Sequence, residues 1–279
     1  MNESLKRLLS GVVYVALLII ATSYSVTSFY ILFGIFMLIA VYEFCQLADL
    51  NKIFPLLFGA FTYTLATYFK RGFTYGPEHT NDILLLAATL FVSAKCLHLL
   101  FSQITRIDTL SKYIYVIGYV IFPFILITKI PFGVKGFNPK IIISIFILIW
   151  TNDTFAYIVG KSIGKHKLIE KISPKKTIEG FIGGVVFSVI AGILISKFYI
   201  QPKPNHENLS LMIWTISAVI ISIFSTLGDL IESKFKRIAG VKDSGNIMPG
   251  HGGILDRLDS IIFVAPFVYL FYQILYYVS

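Results

Sequence analysis

The sequence predicts an all-α, polytopic integral membrane protein with about nine transmembrane helices. Three observations carry that prediction. Hydrophobic residues make up 56% of the 279 and charged residues only 14%, against roughly 25% charged in ordinary soluble domains. Apolar runs near the ~20 residues needed to cross hydrocarbon recur along the whole chain. The basic residues are also divided unevenly between alternate connections, as short cytoplasmic loops require.

The runs cover residues 9–25, 28–47, 54–69, 83–102, 113–131, 140–162, 180–200, 211–231 and 260–278. The first follows Lys6 and Arg7 as a signal peptide would, but eight more runs and the lack of a small-residue cleavage site make it a retained span. The second ends in Tyr42-Glu43-Phe44, the third is the weakest, and the fourth contains Lys95 and His98. Glu43, Lys95 and His98 are therefore intramembrane polar candidates, with Lys95 and His98 at i,i+3 suited to a structural polar contact. The first five spans, joined by short connections, read as scaffold. Asp153 lies in the sixth span and Asp229 in the eighth, and the last four spans bracket two long polar loops. The chain accordingly divides into an N-terminal transmembrane scaffold, 1–138, and a C-terminal catalytic transmembrane region, 139–279, within one compact unit.

With the amino terminus inside, 16 Lys and Arg fall on the cytoplasmic side and 7 on the other. Both polar loops then face the cytoplasm. The net charge of +9 is mostly this excess, which faces anionic headgroups and points to a membrane surface, with no nucleic-acid partner. Cys45 and Cys96 lie within spans, so no disulfide framework is expected. Asn152-Asp153-Thr154 matches a glycosylation sequon from inside a span, where it carries no weight.

Chemistry concentrates in 233–259, SKFKRIAGVKDSGNIMPGHGGILDRLD. Upstream and into it, Asp229, Glu232, Ser233, Lys236 and Arg237 fall at offsets that share one helical face, with Lys234 turned about 100° away. An acid at the apolar end of a span costs about 2.5–3.5 kcal/mol on insertion scales, which an interfacial anchor does not require. The Gly-rich turn 249–253 then leads into a helix opening with Asp256 and Asp259 at i,i+3, on the same membrane side as Asp229. Asp229 and Asp256 can converge, and such hard oxygen ligands suit magnesium, as one ion or more, completed by water and phosphate oxygens. The other loop, 160–184, carries six lysines, Lys175 and Lys176 among them, together with Thr177 and Glu179, and reads as a polyphosphate funnel. Gly160-Lys161-Ser162 imitates the end of a P-loop, but position 155 is Phe and no strand precedes it. Ser173-Pro174 reads as a helix start, and Gly180 with Gly184 as a spacing for close helix packing.

At these residues the chain resembles the CDP-diacylglycerol synthases, or phosphatidate cytidylyltransferases. The signature of that family is filled by Ser233, Lys236, Arg237, Lys242, Asp243, Gly245, Met248, Pro249, His251, Gly252, Gly253, Asp256, Arg257 and Asp259, with Met248 a mild departure. The similarity extends to Asn152-Asp153-Thr154, to 164–168 and to 173–184, with Phe155 where the family often has a small residue. The resemblance implies magnesium-dependent transfer of cytidylyl from CTP to phosphatidate, releasing pyrophosphate, for phospholipid biosynthesis. Asp229 and Asp256 are the expected metal ligands, supported by Asp259. Lys236, Arg237, Lys242, Arg257 and the loop lysines are expected on phosphates, helped by Ser233 and the Gly252 and Gly253 amides. Thr177, Glu179, Asp243 and His251 are expected at the substrates, and Asp153 shapes or ligates within the cavity. The expected setting is the lipid bilayer of a bacterial inner membrane with the site facing the cytoplasm, and a homodimer is among the assemblies this reading admits. Two rivals remain: a CTP-dependent lipid-alcohol kinase, and a secondary transporter, which predicts an inverted repeat that the sequence does not display.

Overall fold

The computed structural model describes residues 3–69, 80–133, 136–202, 204–248, 250 and 252–278. They are mostly helical. Seven apolar helices are long enough to cross a membrane: Val26–Leu47, Asp82–Phe101, Thr109–Lys129, Pro139–Ile163, Ile178–Ile200, Glu207–Ile238 and Leu255–Leu275. Two shorter ones, Leu9–Tyr24 and Ile53–Tyr68, occupy the first and third expected spans. Large apolar side chains such as Val13, Ile20, Leu57, Phe61, Phe91 and Ile182 are exposed on the outer faces, a surface suited to lipid.

Local chemistry explains where the elements begin. Helix α1 (Glu3–Tyr24) gives way to α2 (Val26–Leu47) at Ser25, whose hydroxyl accepts from Ser28 N while Ser28 Oγ accepts from Ser25 N, each at 3.0 Å. Helix α3 (Ile53–Thr64) ends in a π-helical turn, Leu65–Phe69, and α4 (Thr80–Phe101) follows. Asp108 caps α5 (Thr109–Tyr115), accepting from Ser111 N at 2.9 Å, and that bond holds its carboxyl below the usual range. A second π-helical turn, Val116–Ile121, joins α5 to α6 (Phe122–Lys129).

A small antiparallel pair, β1 (Phe132–Gly133) with β2 (Gly136–Phe137), precedes α7 (Pro139–Ile163), which starts on an Asn138 cap and a proline in its first turn. The antiparallel hairpin of β3 (Lys167–Ile169) and β4 (Ser173–Thr177) then leads to α8 (Ile178–Leu194). This corrects the expected helix start at Ser173-Pro174. Pro174 sits in a two-stranded edge pairing that tolerates it, and Thr177 is the true cap, its hydroxyl accepting from Gly180 N at 3.1 Å.

After α9 (Glu207–Ile238) and an irregular loop, α10 (Leu255–Val278) closes the chain. Helix α8 packs on both α7 and α9, and α9 packs on α10. The expected Gly180/Gly184 spacing is used at the α7–α8 contact, where a Cβ on Gly184 would stand 2.6 Å from Asn152 Oδ1. Gly228 does the same between α9 and α10, its position leaving a Cβ only 2.8 Å from Asp259 O. Helix α10 also lies against α2, α4 and α6, so both halves of the chain surround it. Phe235 near the end of α9 meets Phe44, Tyr115 and Tyr119 at 5.1, 5.2 and 5.5 Å between ring centroids. On the preceding residue, Lys234 Nζ donates to Ser102 O at 3.0 Å. Lys95 lies with its ammonium 5.6 Å from the Phe91 ring centre.

Gly184→Ala should destabilise the protein by about 1–3 kcal/mol, the usual cost of overpacking. Gly133→Ala, where a Cβ meets nothing within 4 Å, should be neutral. Thermal unfolding in detergent compares them, and equal midpoints would contradict the close α7–α8 contact.

Candidate active site

A cavity of 1380 Å³ opens between α1, α7, the β3–β4 hairpin, α9 and α10. One wall is apolar, with Val12 and Val15 of α1 facing Ile149 and Trp150 of α7. The other carries Asp153, Asp229, Asp256 and Asp259 beside Lys161, Lys167, Lys175, Lys176 and Arg257. The periodicities above produce this arrangement. Asp229 lies more than two turns before the end of α9, and Asp256 and Asp259 share the first turns of α10. The close α9–α10 approach at Gly228 brings these acids together.

Asp229 and Asp256 each have a cationic partner. Lys176 Nζ lies 2.6 Å from Asp229 Oδ2, and Ser233 Oγ donates to Asp229 Oδ1 at 3.3 Å. Lys236 pairs with Glu232 one turn before it and, at 2.7 Å, with Asp256 Oδ1 on the neighbouring helix. Asp256 Oδ2 accepts from Ser244 N at 2.9 Å, Ser244 Oγ at 2.9 Å and Gly253 N at 2.8 Å. Asp259 Oδ1 accepts from Ser260 N at 2.7 Å. Asp153 accepts from Asn152 Nδ2 at 3.2 Å and is exposed on the cavity wall. Asp153, Asp229 and Asp259 all line the one cavity.

Of the expected site residues, Asp153, Asp229, Asp256, Asp259, Lys175, Lys176, Thr177 and Arg257 line the cavity. Ser233 and Lys236 stand behind, holding Asp229 and Asp256. Others are placed differently. Arg237 keeps its place in α9, but its guanidinium donates to Ile172 O at 3.5 Å and Val241 O at 3.2 Å, bracing the hairpin and the loop. Glu179 accepts from Lys165 N, His166 N and, at 2.6 Å, His166 Nδ1, so it pins the start of the hairpin. The Gly253 amide donates to Asp256, and so it supports the loop where a phosphate contact was expected. Gly252, with φ +88, turns the chain so that its carbonyl can accept from Met248 N at 2.8 Å. Lys242 and Asp243 are exposed and are not among the residues that line the cavity. His251 lies outside the described residues.

Lys161 and Lys167, two of the loop lysines expected on phosphates, also line the cavity. Two contributions escaped the sequence reading. Tyr14 of α1, a helix read as scaffold, lines the cavity. Glu43 is 1% exposed and bonds to the loop before α10. The available signal was Glu43 itself, an acid that a span does not hold without a partner.

Fold and site together define a class: a mostly helical protein, with helices long and apolar enough to cross a membrane, whose acid- and lysine-lined cavity borders an apolar wall. The model described as the cytidylyltransferase family matches residues 5–275, and the chain belongs to that family. It is 54% identical over 121 residues to a phosphatidate cytidylyltransferase of Staphylococcus haemolyticus, a match covering 43% of this chain and 44% of that protein. Proteins of the same name from Staphylococcus epidermidis and Staphylococcus aureus are 49% and 51% identical over 127 and 123 residues. The chain thus spans less than half the length of the curated relatives it matches.

Lys236 is 12% exposed between Glu232 at 1% and Asp256 at 6%. Lys236→Gln would strand two buried carboxylates, so it should lower folding stability by about 3–5 kcal/mol. Lys234→Gln, which loses one bond to Ser102 O, should cost about 0.5–1.5 kcal/mol. Unfolding midpoints in detergent test this, and equal losses would mean that Lys236 is not a central counter-charge.

Proposed function

We propose that the protein transfers the cytidylyl group of CTP to phosphatidate, giving CDP-diacylglycerol and pyrophosphate. The observation that carries this is the single cavity in which paired acids and lysines adjoin an apolar wall. A nucleoside triphosphate needs the first and a lipid phosphate needs both.

In this reading a phosphatidate phosphate oxygen attacks the α-phosphorus of CTP. The new P–O bond forms as the bond between the α-phosphorus and the bridging oxygen breaks, and that oxygen leaves on pyrophosphate. No covalent enzyme intermediate is needed, because the lipid phosphate is already a nucleophile. Such chemistry asks the protein mainly for positioning and charge neutralisation. Lys175 and Lys176, with Lys161 and Lys167, would hold the polyphosphate, Arg257 would neutralise charge from α10, and the α1–α7 wall would take the acyl chains. The two ion pairs would behave differently. Lys176 and Asp229 keep 27% and 36% side-chain exposure, so an arriving phosphate can draw Lys176 away from Asp229. Lys236 is enclosed by two acids and stays as a fixed support for Asp256.

Among the described residues, no three His, Cys, Asp or Glu side chains form a ready-made metal cage. Magnesium does not require one, since it is commonly bound by one or two carboxylates with substrate phosphates and water. The hard oxygens of Asp229 and Asp256 on the cavity wall fit that mode, and they would hold the ion. When bound it would neutralise phosphate charge and orient the leaving group.

The same reading takes all nine apolar helices as spans in a bacterial inner membrane, with both polar loops in the cytoplasm. It assigns scaffolding chiefly to 1–138 and chemistry chiefly to 139–279.

Purified protein given CTP, phosphatidate and magnesium should release pyrophosphate and form CDP-diacylglycerol, whereas release of CDP would mean phosphoryl transfer to an alcohol instead. Asp229→Asn and Asp256→Asn should each lower turnover by about 100-fold or more while leaving folded protein. Near-normal rates at saturating magnesium in both would sink the ligand assignment.

Orientation is tested separately. Single cysteines at the exposed Lys171 and Asn246, in a chain lacking Cys45 and Cys96, should resist an impermeant thiol reagent in intact cells and react after lysis. Labelling of either in intact cells would reverse the topology.

A further inference from the structure

We propose that Glu43, on a helix of the N-terminal half, is a positioning residue of the active site: its carboxylate is the peg around which the loop before α10 folds, and through that loop it aims Asp256. The inference rests on reading Asp256 as part of the reaction centre.

Glu43 lies one turn from the end of α2 and is buried, with 1% exposure. A buried carboxylate is costly unless its oxygens are satisfied. Its oxygens reach across the molecule for donors. Oε1 accepts from Ile254 N at 3.1 Å and Oε2 from Leu255 N at 2.8 Å, amides at the amino end of α10 that have no partner within the helix. Ser244 Oγ lies 3.5 Å from Oε2. The negative charge also sits at the favourable end of the α10 dipole.

The loop is shaped to this carboxylate. A Cβ on Gly245 would stand 2.5 Å from Glu43 Oε1, and one on Gly253 would meet Ser244 Oγ and stand 2.5 Å from Glu43 Oε2. Neither glycine has a positive φ, so backbone conformation does not demand glycine at either place. The room taken by the Glu43 carboxylate does so at Gly245, and at Gly253 it does so together with the Ser244 hydroxyl.

What binds Glu43 on one side binds Asp256 on the other. Ser244 N, Ser244 Oγ and Gly253 N all donate to Asp256 Oδ2, while Ile254 and Leu255, the next two residues, donate to Glu43. The loop is therefore clamped between two carboxylates, and only Asp256 faces the cavity. If the peg is lost, the donors that orient Asp256 Oδ2 are no longer fixed, although Asp256 itself is intact.

The test uses the full chain in lipid-containing detergent, with two readouts. Hydrogen exchange by mass spectrometry follows backbone amides of 244–258, with α7 and α8 as internal reference. Steady-state kinetics measures turnover. In Glu43→Gln the amide nitrogen of the new side chain cannot accept, so one of the two N–H groups loses its partner. Exchange in 244–258 should quicken by about tenfold or more while α7 and α8 stay protected. Turnover should fall by about tenfold or more, with KM for CTP within about twofold of the parent. Gly245→Ala keeps the carboxylate and crowds it, and should give the same local signature. Combining Glu43→Ala with Gly245→Ala should be less damaging than the two single losses predict, because the methyl then enters vacated space. Unchanged exchange in 244–258, or turnover within about twofold of the parent in Glu43→Gln, would overturn the proposal. If Glu43→Gln loosens α7 and α8 as well, Gly245→Ala decides by the same two criteria. A parent protein that makes no CDP-diacylglycerol would refute the proposed reaction instead, and the exchange measurements would still decide whether Glu43 holds the loop.

Discussion

The ammonium of Lys236, held between Glu232 on its own helix and Asp256 on the next, is the interaction on which the acid-lined end of the molecule depends. Helices α9 and α10 must bring several acids to one place, and in a bundle that is apolar on most faces, uncompensated carboxylates would drive the helices apart. A single enclosed cation offsets that repulsion and fixes the register between the two helices. The pairing is worth little as net stabilisation, because desolvation of three charged groups opposes it. Its removal, by contrast, would leave two buried carboxylates with no counter-charge between them.

A second constraint is steric. Gly228 lets α9 and α10 approach closely enough for Asp229 and Asp259 to line one cavity, and Gly184 lets α8 close on α7 beside Asn152. Once those contacts are made, the β3–β4 hairpin hangs over the cavity with Lys175 and Lys176 directed into it, pinned at its base by Glu179 and the Thr177 cap. Rigid helices thus supply the acids, and a short hairpin supplies cations on long side chains.

Much of this was legible in the sequence, because the signals were local. Span positions follow from apolar run length, and the shared face of Asp229, Glu232, Ser233 and Lys236 follows from helical periodicity. Periodicity placed Arg237 in α9 but not its contacts: it lies near the end of that helix, where its long side chain reaches the carbonyls of Ile172 and Val241. Ser173-Pro174 misled because the pattern that opens a helix also fits an edge strand, and only the pairing with β3 decides between them. Glu179 was expected at the substrates and the Gly253 amide at a phosphate, yet each is engaged within the protein.

By itself, then, the sequence determined the helical character, the order of the apolar helices, the two polar loops and the set of acids and lysines around which the site is built. Each of these rests on contacts between residues a few positions apart. The tertiary structure decided the pairing within that set: Lys176 with Asp229, Lys236 with Asp256, and Glu43 with a loop some two hundred residues away. A buried charge needs a partner, but which partner it finds depends on how helices distant in sequence pack, and that is settled by the summed shape of the bundle and not by any one segment.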